Sequence, residues 1–290
     1  MTGIAVLTPA AGDGTYGPHW PVVLERLSAA LALTGVTTRP MAWPDHARDA
    51  SALLDFPLVL PLLAWGYHQH HAVWLEATRT WAGAGVRLAN PASVLNWNSD
   101  KAYLRRLEAA GIAIPPTAWG DGVTPAQVEA AFDRFGTETL IVKPTVSGGA
   151  WKTLKIGRGE ALVDAPEGAT MIQPFLPDLA TAGELSLLFF GGRLSHAVLK
   201  TAAPGDFRIQ SQFGGRYAAV AHPPVEALAL ADRVLAAIEE PLLYARIDMV
   251  EHAGQWLLME AELIEPDFYL SEAPDRGLLF AEAVRARLAG

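Results

Sequence analysis

The chain has 290 residues, room for about two ordinary domains, and its composition of 51% hydrophobic and 18% charged residues is rich enough in apolar side chains to exclude general disorder. Lys and Arg number 22 against 31 Asp and Glu, so the net charge of -9 leaves no bulk positive field for a polyanion, and no nucleic-acid partner is expected. Cysteine is absent, which removes disulfides, thiolate nucleophiles, zinc-thiolate sites and iron–sulfur clusters, so any metal must sit on oxygen or imidazole. The opening MTGIAVLTPA lacks a basic region and a cleavable apolar core, and Phe56 to Tyr67 is too short and Pro-interrupted to span a bilayer. A cytoplasmic protein with no membrane contact is expected.

Ile4 to Thr8 reads as a strand, followed by a Gly/Pro segment and a periodic helical stretch, Val22 to Leu33, ending at Gly35. Extended runs at Val36 to Met41 and Leu58 to Leu63 and a helix over Ala72 to Ala82 continue the alternation of a parallel sheet flanked by helices. After Asn90-Pro91, Ser99 to Ala110 reads as a helix capped by Ser99 and closed by Gly111 and Pro115-Pro116. A strand at Thr139 to Val142, a Gly-rich turn at Ser147 to Gly149 and an extended run at Thr170 to Gln173 follow. Strands are then expected at Leu185 to Phe190, Leu194 to Leu199 and Ala245 to Val250, with one helix from Pro224 to Ile238. The polar Ala202 to Gly215 reads as a surface loop able to hold a ligand.

Gly12-Asp13-Gly14-Thr15-Tyr16-Gly17 has the G-x-G-x-x-G spacing of a dinucleotide-binding turn between a strand and a helix. Against it, Pro18 and Pro21 remove amide donors, and no acid stands at the usual offset, Asp45 being too far along. An NAD(P)-binding oxidoreductase stays open beside a flexible substrate loop.

Lys143 closes the apolar run Thr139-Leu140-Ile141-Val142, where a desolvated ammonium needs an anion unless it snorkels to the surface. The following Ser147-Gly148-Gly149 can present backbone N–H groups to phosphate, or be an ordinary tight turn. Lys101 alone would be a solvated helix charge. In Arg246-Ile247-Asp248-Met249-Val250 the polar residues share one strand face, and in Trp256 to Ile264 so do Glu260 and Glu262. If the two runs pair through an odd-length loop, Asp248, Glu260 and Glu262 converge on an oxygen-only site suited to Mg²⁺. The alternative is a helix over 257–264 with two solvated glutamates.

In this order the motifs resemble the ATP-grasp superfamily, which includes glutathione synthetase, D-alanine–D-alanine ligase and ribosomal-protein glutamate ligases. The resemblance spans about residues 97 to 270. It implies an α/β fold of three parts: a pre-ATP-grasp domain over 1–96 with substrate contacts near Trp65, Tyr67 and His68, a central lid over 97–172 and a catalytic, metal-binding domain over 173–290. It implies that Lys101 and Lys143 reach the nucleotide phosphates and that Ser147, Gly148 and Gly149 close over them. Gln173 and the backbone of Phe175 or Leu176 would read the purine, and Glu184 the ribose. Lys200 and Arg208, in a loop with Asp206-Phe207 and Gly214-Gly215, would bring positive charge to the γ-phosphate and the substrate. Asp248 and Glu260 match the metal acids, and Glu262 stands where the superfamily usually has Asn. Glu265-Pro266 replaces the Pro-Gly pair commoner in peptide ligases. Leu263-Ile264-Glu265-Pro266 and Leu63-Ala64-Trp65-Gly66-Tyr67-His68 look closest to the cyclo-ligase branch that closes O-ureido-D-serine into D-cycloserine.

The resemblance implies ATP and Mg²⁺ as cofactors and a small amino-acid-like substrate whose carboxylate is phosphorylated and then captured by an amine. Arg246 would stabilise the oxyanion. A non-catalytic ATP-binding module is the other alternative, and a homo-oligomer is left open.

Overall fold

The computed structural model describes residues 2–10, 12–203, 208–209 and 213–290. The middle of the expected ligand loop, including Asp206, Phe207 and Gln210, lies outside the described residues.

The first sheet is parallel, with β1 (Thr2–Thr8) between β2 (Val36–Ala42) and β3 (Val59–Leu60). Ile4, Ala5, Val6 and Leu7 have no exposed surface because helices cover both faces, as parallel strands require. The expected strand over Leu58 to Leu63 is cut to two residues. Pro61 cannot donate to a ladder, and the chain turns there, the Ala64 N–H donating to the Pro61 carbonyl at 3.0 Å. Helices α1 (Trp20–Ala32) and α2 (His71–Ala84) flank this sheet. On the α2 side Trp43, Trp74 and Trp81 stack edge to face with centroids 5.5 and 5.6 Å apart. The indole N–H of Trp74 donates to the Leu95 carbonyl and that of Trp81 to His46, so the buried rings leave no orphan donors.

After a short α3 (Ala92–Trp97), α4 covers Tyr103–Ala109. The expected Ser99 cap is corrected: the helix starts four residues later, and the Ser99 hydroxyl donates to the Asn96 carbonyl at 2.6 Å. The reason is tertiary. The Lys101 N–H donates across to the Thr145 carbonyl at 2.8 Å, so Lys101 sits in a turn, tied to a loop far along the chain.

The second sheet is antiparallel in the order β4 (Ala118–Asp121), β7 (Ala169–Pro174), β5 (Thr139–Pro144), β6 (Leu154–Gly157), covered by α5 (Pro125–Phe135), and the short α6 (Pro177–Thr181) follows β7. The third has the order β10 (Arg216–Ala219), β9 (Arg193–Thr201), β8 (Glu184–Phe190), β11 (Tyr244–His252), β12 (Gln255–Glu262). Its two faces follow the period of two. Leu185, Leu187, Ala245, Ile247 and Met249 pack with α4 and α7 (Val225–Ala236). On the other face Leu188, Phe190 and Tyr244 pack with α1 and the C-terminal α8 (Leu278–Ala289), a helix the sequence reading did not include. That second face continues into Glu184, Ser186, Arg246 and Asp248, so the apolar half anchors the sheet and the polar half is left for chemistry.

No helix among the described residues is long and apolar enough to cross a membrane.

Candidate active site

The site is built on the hairpin β11–β12. Ala253 (φ 50°) and Gly254 (φ 77°) form a two-residue turn in the left-handed region, and His252 pairs with Gln255. With that even loop the register would place Asp248 opposite Met259 and turn Glu260 to the core face. It does not, because Met249 pairs with Leu258 whereas Asp248 pairs with Glu260, leaving Met259 as the extra residue of a β-bulge. Arg246 then faces Glu262. The expected odd-length loop is therefore corrected: the bulge supplies the odd residue. The helical alternative for 257–264 is also removed, since this stretch is strand through Glu262.

Asp248, Glu260 and Glu262 each bring an oxygen within 4.8 Å of the others, the one cluster among the described residues able to share a metal ion. Four cations surround them. The Lys101 ammonium lies 2.7 Å from Glu260 Oε1 and donates to the Ser147 carbonyl at 2.8 Å. Lys200 pairs with Glu184 and stands 3.1 Å from Asp248. Arg246 reaches Asp248 at 2.9 Å and also pairs with Glu262. Lys143, at the end of β5, makes no ion pair among the described residues; burial pulls its pKa down, with Glu260 opposing.

Burial opposes the charge on Asp248, yet Arg246 and Lys200 outweigh it and hold the carboxyl at about 2. The Ser186 hydroxyl, missed in the sequence, adds a hydrogen bond to Asp248 from the neighbouring strand. For Glu260, Lys101 and Lys143 overcome burial and lower the pKa. Glu262 goes the other way: burial pushes it well up, and Glu260 and Asp248 add to the rise against Arg246. A carboxyl so placed beside two others calls for a hard cation, and the all-oxygen donor set fits Mg²⁺.

Strand β12 is a sheet edge, and side chains blunt it. The Tyr103 hydroxyl bonds both the N–H and carbonyl of Ala261, while Asn98 bonds the Ala261 carbonyl and the Leu263 N–H. Asn90, with no exposed surface, receives the Leu243 N–H and donates to the carbonyls of Tyr244 and Leu263. These anchors hold the acids' backbone to the segment carrying Lys101.

Ser147, Gly148 and Gly149 form the turn after β5. A Cβ on Gly148 would come within 3.0 Å of His68 Nδ1, so the turn packs directly on the first domain. Burial lowers the His68 pKa to about 4, with Lys101 and His70 contributing, so this imidazole is neutral at pH 7. The Gln173 amide donates to the Thr117 hydroxyl at 3.0 Å. The Phe175 N–H donates to the Thr139 carbonyl at 2.9 Å and the Leu176 carbonyl accepts the Leu179 N–H at 3.1 Å, so what the two expected positions can offer a purine is the Phe175 carbonyl and the Leu176 N–H. Arg208 lies 3.7 Å over the Phe213 ring. The glycine motif near the N-terminus is no dinucleotide site: Asp13 Oδ1 accepts the N–H groups of Thr15 and Tyr16, and the Asp13 carbonyl that of Gly17. A carboxylate already occupies the donors a pyrophosphate would need.

A family model described as the N-terminal domain of D-cycloserine synthetase DcsG matches residues 4–90. The cycloserine biosynthesis protein DcsG of Streptomyces lavendulae is 29% identical over 310 aligned positions, covering 99% of each chain. The crystal structure of D-cycloserine synthetase DcsG superposes with a TM-score of 0.80 at 26% identity, covering 99% of both chains. The chain is homologous to DcsG and has the ATP-grasp fold. A D-alanine–D-alanine ligase from Bacillus anthracis, solved with ATP, shares the ATP-grasp fold over 99% of both chains, with a TM-score of 0.69 at 17% identity. In this ATP-grasp chain Lys143 stands on the four-stranded sheet and the metal-type acids on the five-stranded one, and Lys101 bridges them.

Proposed function

We propose that this chain is an ATP- and Mg²⁺-dependent carboxylate–amine ligase that acts on a small amino-acid-like substrate through an acyl phosphate. Asp248, Glu260 and Glu262 would hold Mg²⁺, which when bound would supply positive charge to the triphosphate. Lys101 and Lys143 bind phosphate oxygens from the two sheets, and the N–H groups of the Ser147 to Gly149 turn cover them. Gln173 and the backbone of Phe175 or Leu176 line the purine end, Glu184 the ribose. A substrate carboxylate oxygen bonds to the γ-phosphorus as the bridge to ADP breaks. An amine nitrogen then bonds to the acyl carbon, and phosphate departs carrying the amine's proton. Lys200 and Arg208 supply positive charge to the transferring group, and Arg246 to the oxyanion.

The observation that carries this reading is the convergence of three carboxylates within 4.8 Å among Lys101, Lys200 and Arg246. No side-chain nucleophile is needed, in keeping with the absence of cysteine. The likeness to DcsG along the whole chain supports an intramolecular variant, in which one molecule carries both the carboxylate and the nitrogen. The test is phosphate release from ATP–Mg²⁺ over a panel of amino acids, ureido acids and hydroxamate acids. ADP should form with one panel class, in equal amount to a C–N bonded product; ADP with none of them sinks the proposal.

A further inference from the structure

The chain leaves β12 at Glu262, and Ile264 plunges into the first domain's core beside Ala64, Tyr67 and Trp74. The Tyr244 hydroxyl donates to the Ile264 carbonyl at 2.7 Å, and buried Pro266 follows. Glu265 is thus pinned, half-buried, where the first domain meets the catalytic face. Its charge is felt by Tyr16 in the N-terminal loop, Tyr67 after β3, Tyr244 on β11 and Lys101. Yet among the described residues Glu265 has no hydrogen bond and no ion pair. The cations nearest in its field are committed, Lys101 to Glu260 at 2.7 Å and Arg246 to Asp248 at 2.9 Å and to Glu262. Burial pushes Glu265 up to about 7, with Arg246 opposing and Glu260 reinforcing. A desolvated carboxyl of this kind is costly to ionise without a counter-ion, so its environment is completed by a positive group from outside.

Three occupants compete. A metal shared with the other acids is disfavoured, because the cluster able to share an ion comprises Asp248, Glu260 and Glu262 and not Glu265. A phosphate would be repelled. What remains is an organic cation, on the side where the Tyr16 and Tyr67 phenols feel the same carboxyl.

We propose that Glu265 is a specificity residue that selects the substrate by its α-ammonium group, holding that cation on the first-domain side of the metal acids. This rests on the ligase reading above. The test compares ADP formation with O-ureido-D-serine and D-alanine against their des-amino counterparts, 3-(ureidooxy)propanoate and propanoate. Wild type should favour the ammonium-bearing member of a pair by about tenfold to hundredfold in kcat/KM, the range of a charged hydrogen bond. Glu265→Gln should collapse that ratio toward one with ATP affinity by titration calorimetry retained, and Glu265→Asp should restore part of it. A ratio that survives Glu265→Gln overturns the assignment and leaves the ligase standing. Turnover of neither pair by wild type removes the substrate class, and this assignment falls with it.

Discussion

Asp248 faces Glu260 across a hairpin whose turn alone would have set Asp248 against Met259. The bulge at Met259 shifts the ladder by one residue, and one residue is what separates the core face of a strand from its polar face. The acids therefore meet through a local irregularity, in strands otherwise regular on both sides of it.

Glu260 is the acid that Lys101 holds at 2.7 Å. Glu260→Gln keeps the shape and removes the charge, so the fold should persist while kcat falls by about 100-fold to 1,000-fold, the loss typical of removing one electrostatic contact to the reacting group. Steady-state kinetics with circular dichroism checks both halves. Wild-type activity in a folded variant removes Glu260 from the metal site.

Lys143 has a pKa lowered by burial and no ion pair among the described residues. Its charge is a burden on the fold and an asset to phosphate binding. Lys143→Met should leave the melting temperature unchanged or raise it, while the Kd for ATP–Mg²⁺ rises by at least about tenfold. A melting temperature that drops with ATP affinity intact reverses the assignment.

Glu265 sits at about 7, above the ordinary 4.5. The folded protein holds this proton more tightly than the unfolded chain, so the stability it contributes is full below the ordinary pKa and is lost as pH rises through about 7. Glu265→Gln should therefore gain on wild type in melting temperature between about pH 5 and about pH 8. Over the same window the wild-type KM for an ammonium-bearing substrate should fall as the carboxylate forms. A pH-independent difference between the two proteins would contradict this.

Gly148 lies tightly against His68, a Cβ there reaching Nδ1 at 3.0 Å, so a methyl group fits only if the ring or the turn gives way. Gly148→Ala should weaken ATP binding by displacing the turn, and His68→Ala in the same chain should recover part of the loss. Because His68 is neutral from about pH 5 upward, the effect should not vary across neutral pH. Absence of recovery in the double variant argues that the turn does not rest on His68.

Asn90 bonds four main-chain groups at the ends of β11 and β12, the N–H of Leu243 and Tyr244 and the carbonyls of Tyr244 and Leu263, from a site with no exposed surface. Asn90→Ala removes all four bonds and should cost about 3 kcal/mol by urea denaturation. A cost under about 1 kcal/mol would mean water replaces the amide.

Much of the architecture was legible locally. The parallel N-terminal strands, β5 with its terminal Lys143 and the alternation of Arg246 with Asp248 all follow from periodicity within a few residues. Helix α5 was equally readable and overlooked: Thr124 and Gln127 form a capping box ahead of Pro125. The start of α4 was not readable from Ser99, since what stops the helix there is a hydrogen bond from Lys101 to Thr145, far along the chain.

Residue order alone says which residues bear charge, which strand faces are polar, and that the chemistry must run on oxygen and nitrogen ligands without thiols. It took the folded chain to show that the acids share a face, that Phe175 spends its N–H on Thr139, and that Glu265 has no hydrogen bond or ion pair among the described residues. The reason is physical: side-chain periodicity is a property of neighbouring residues, whereas register and counter-ions depend on where distant segments come to rest.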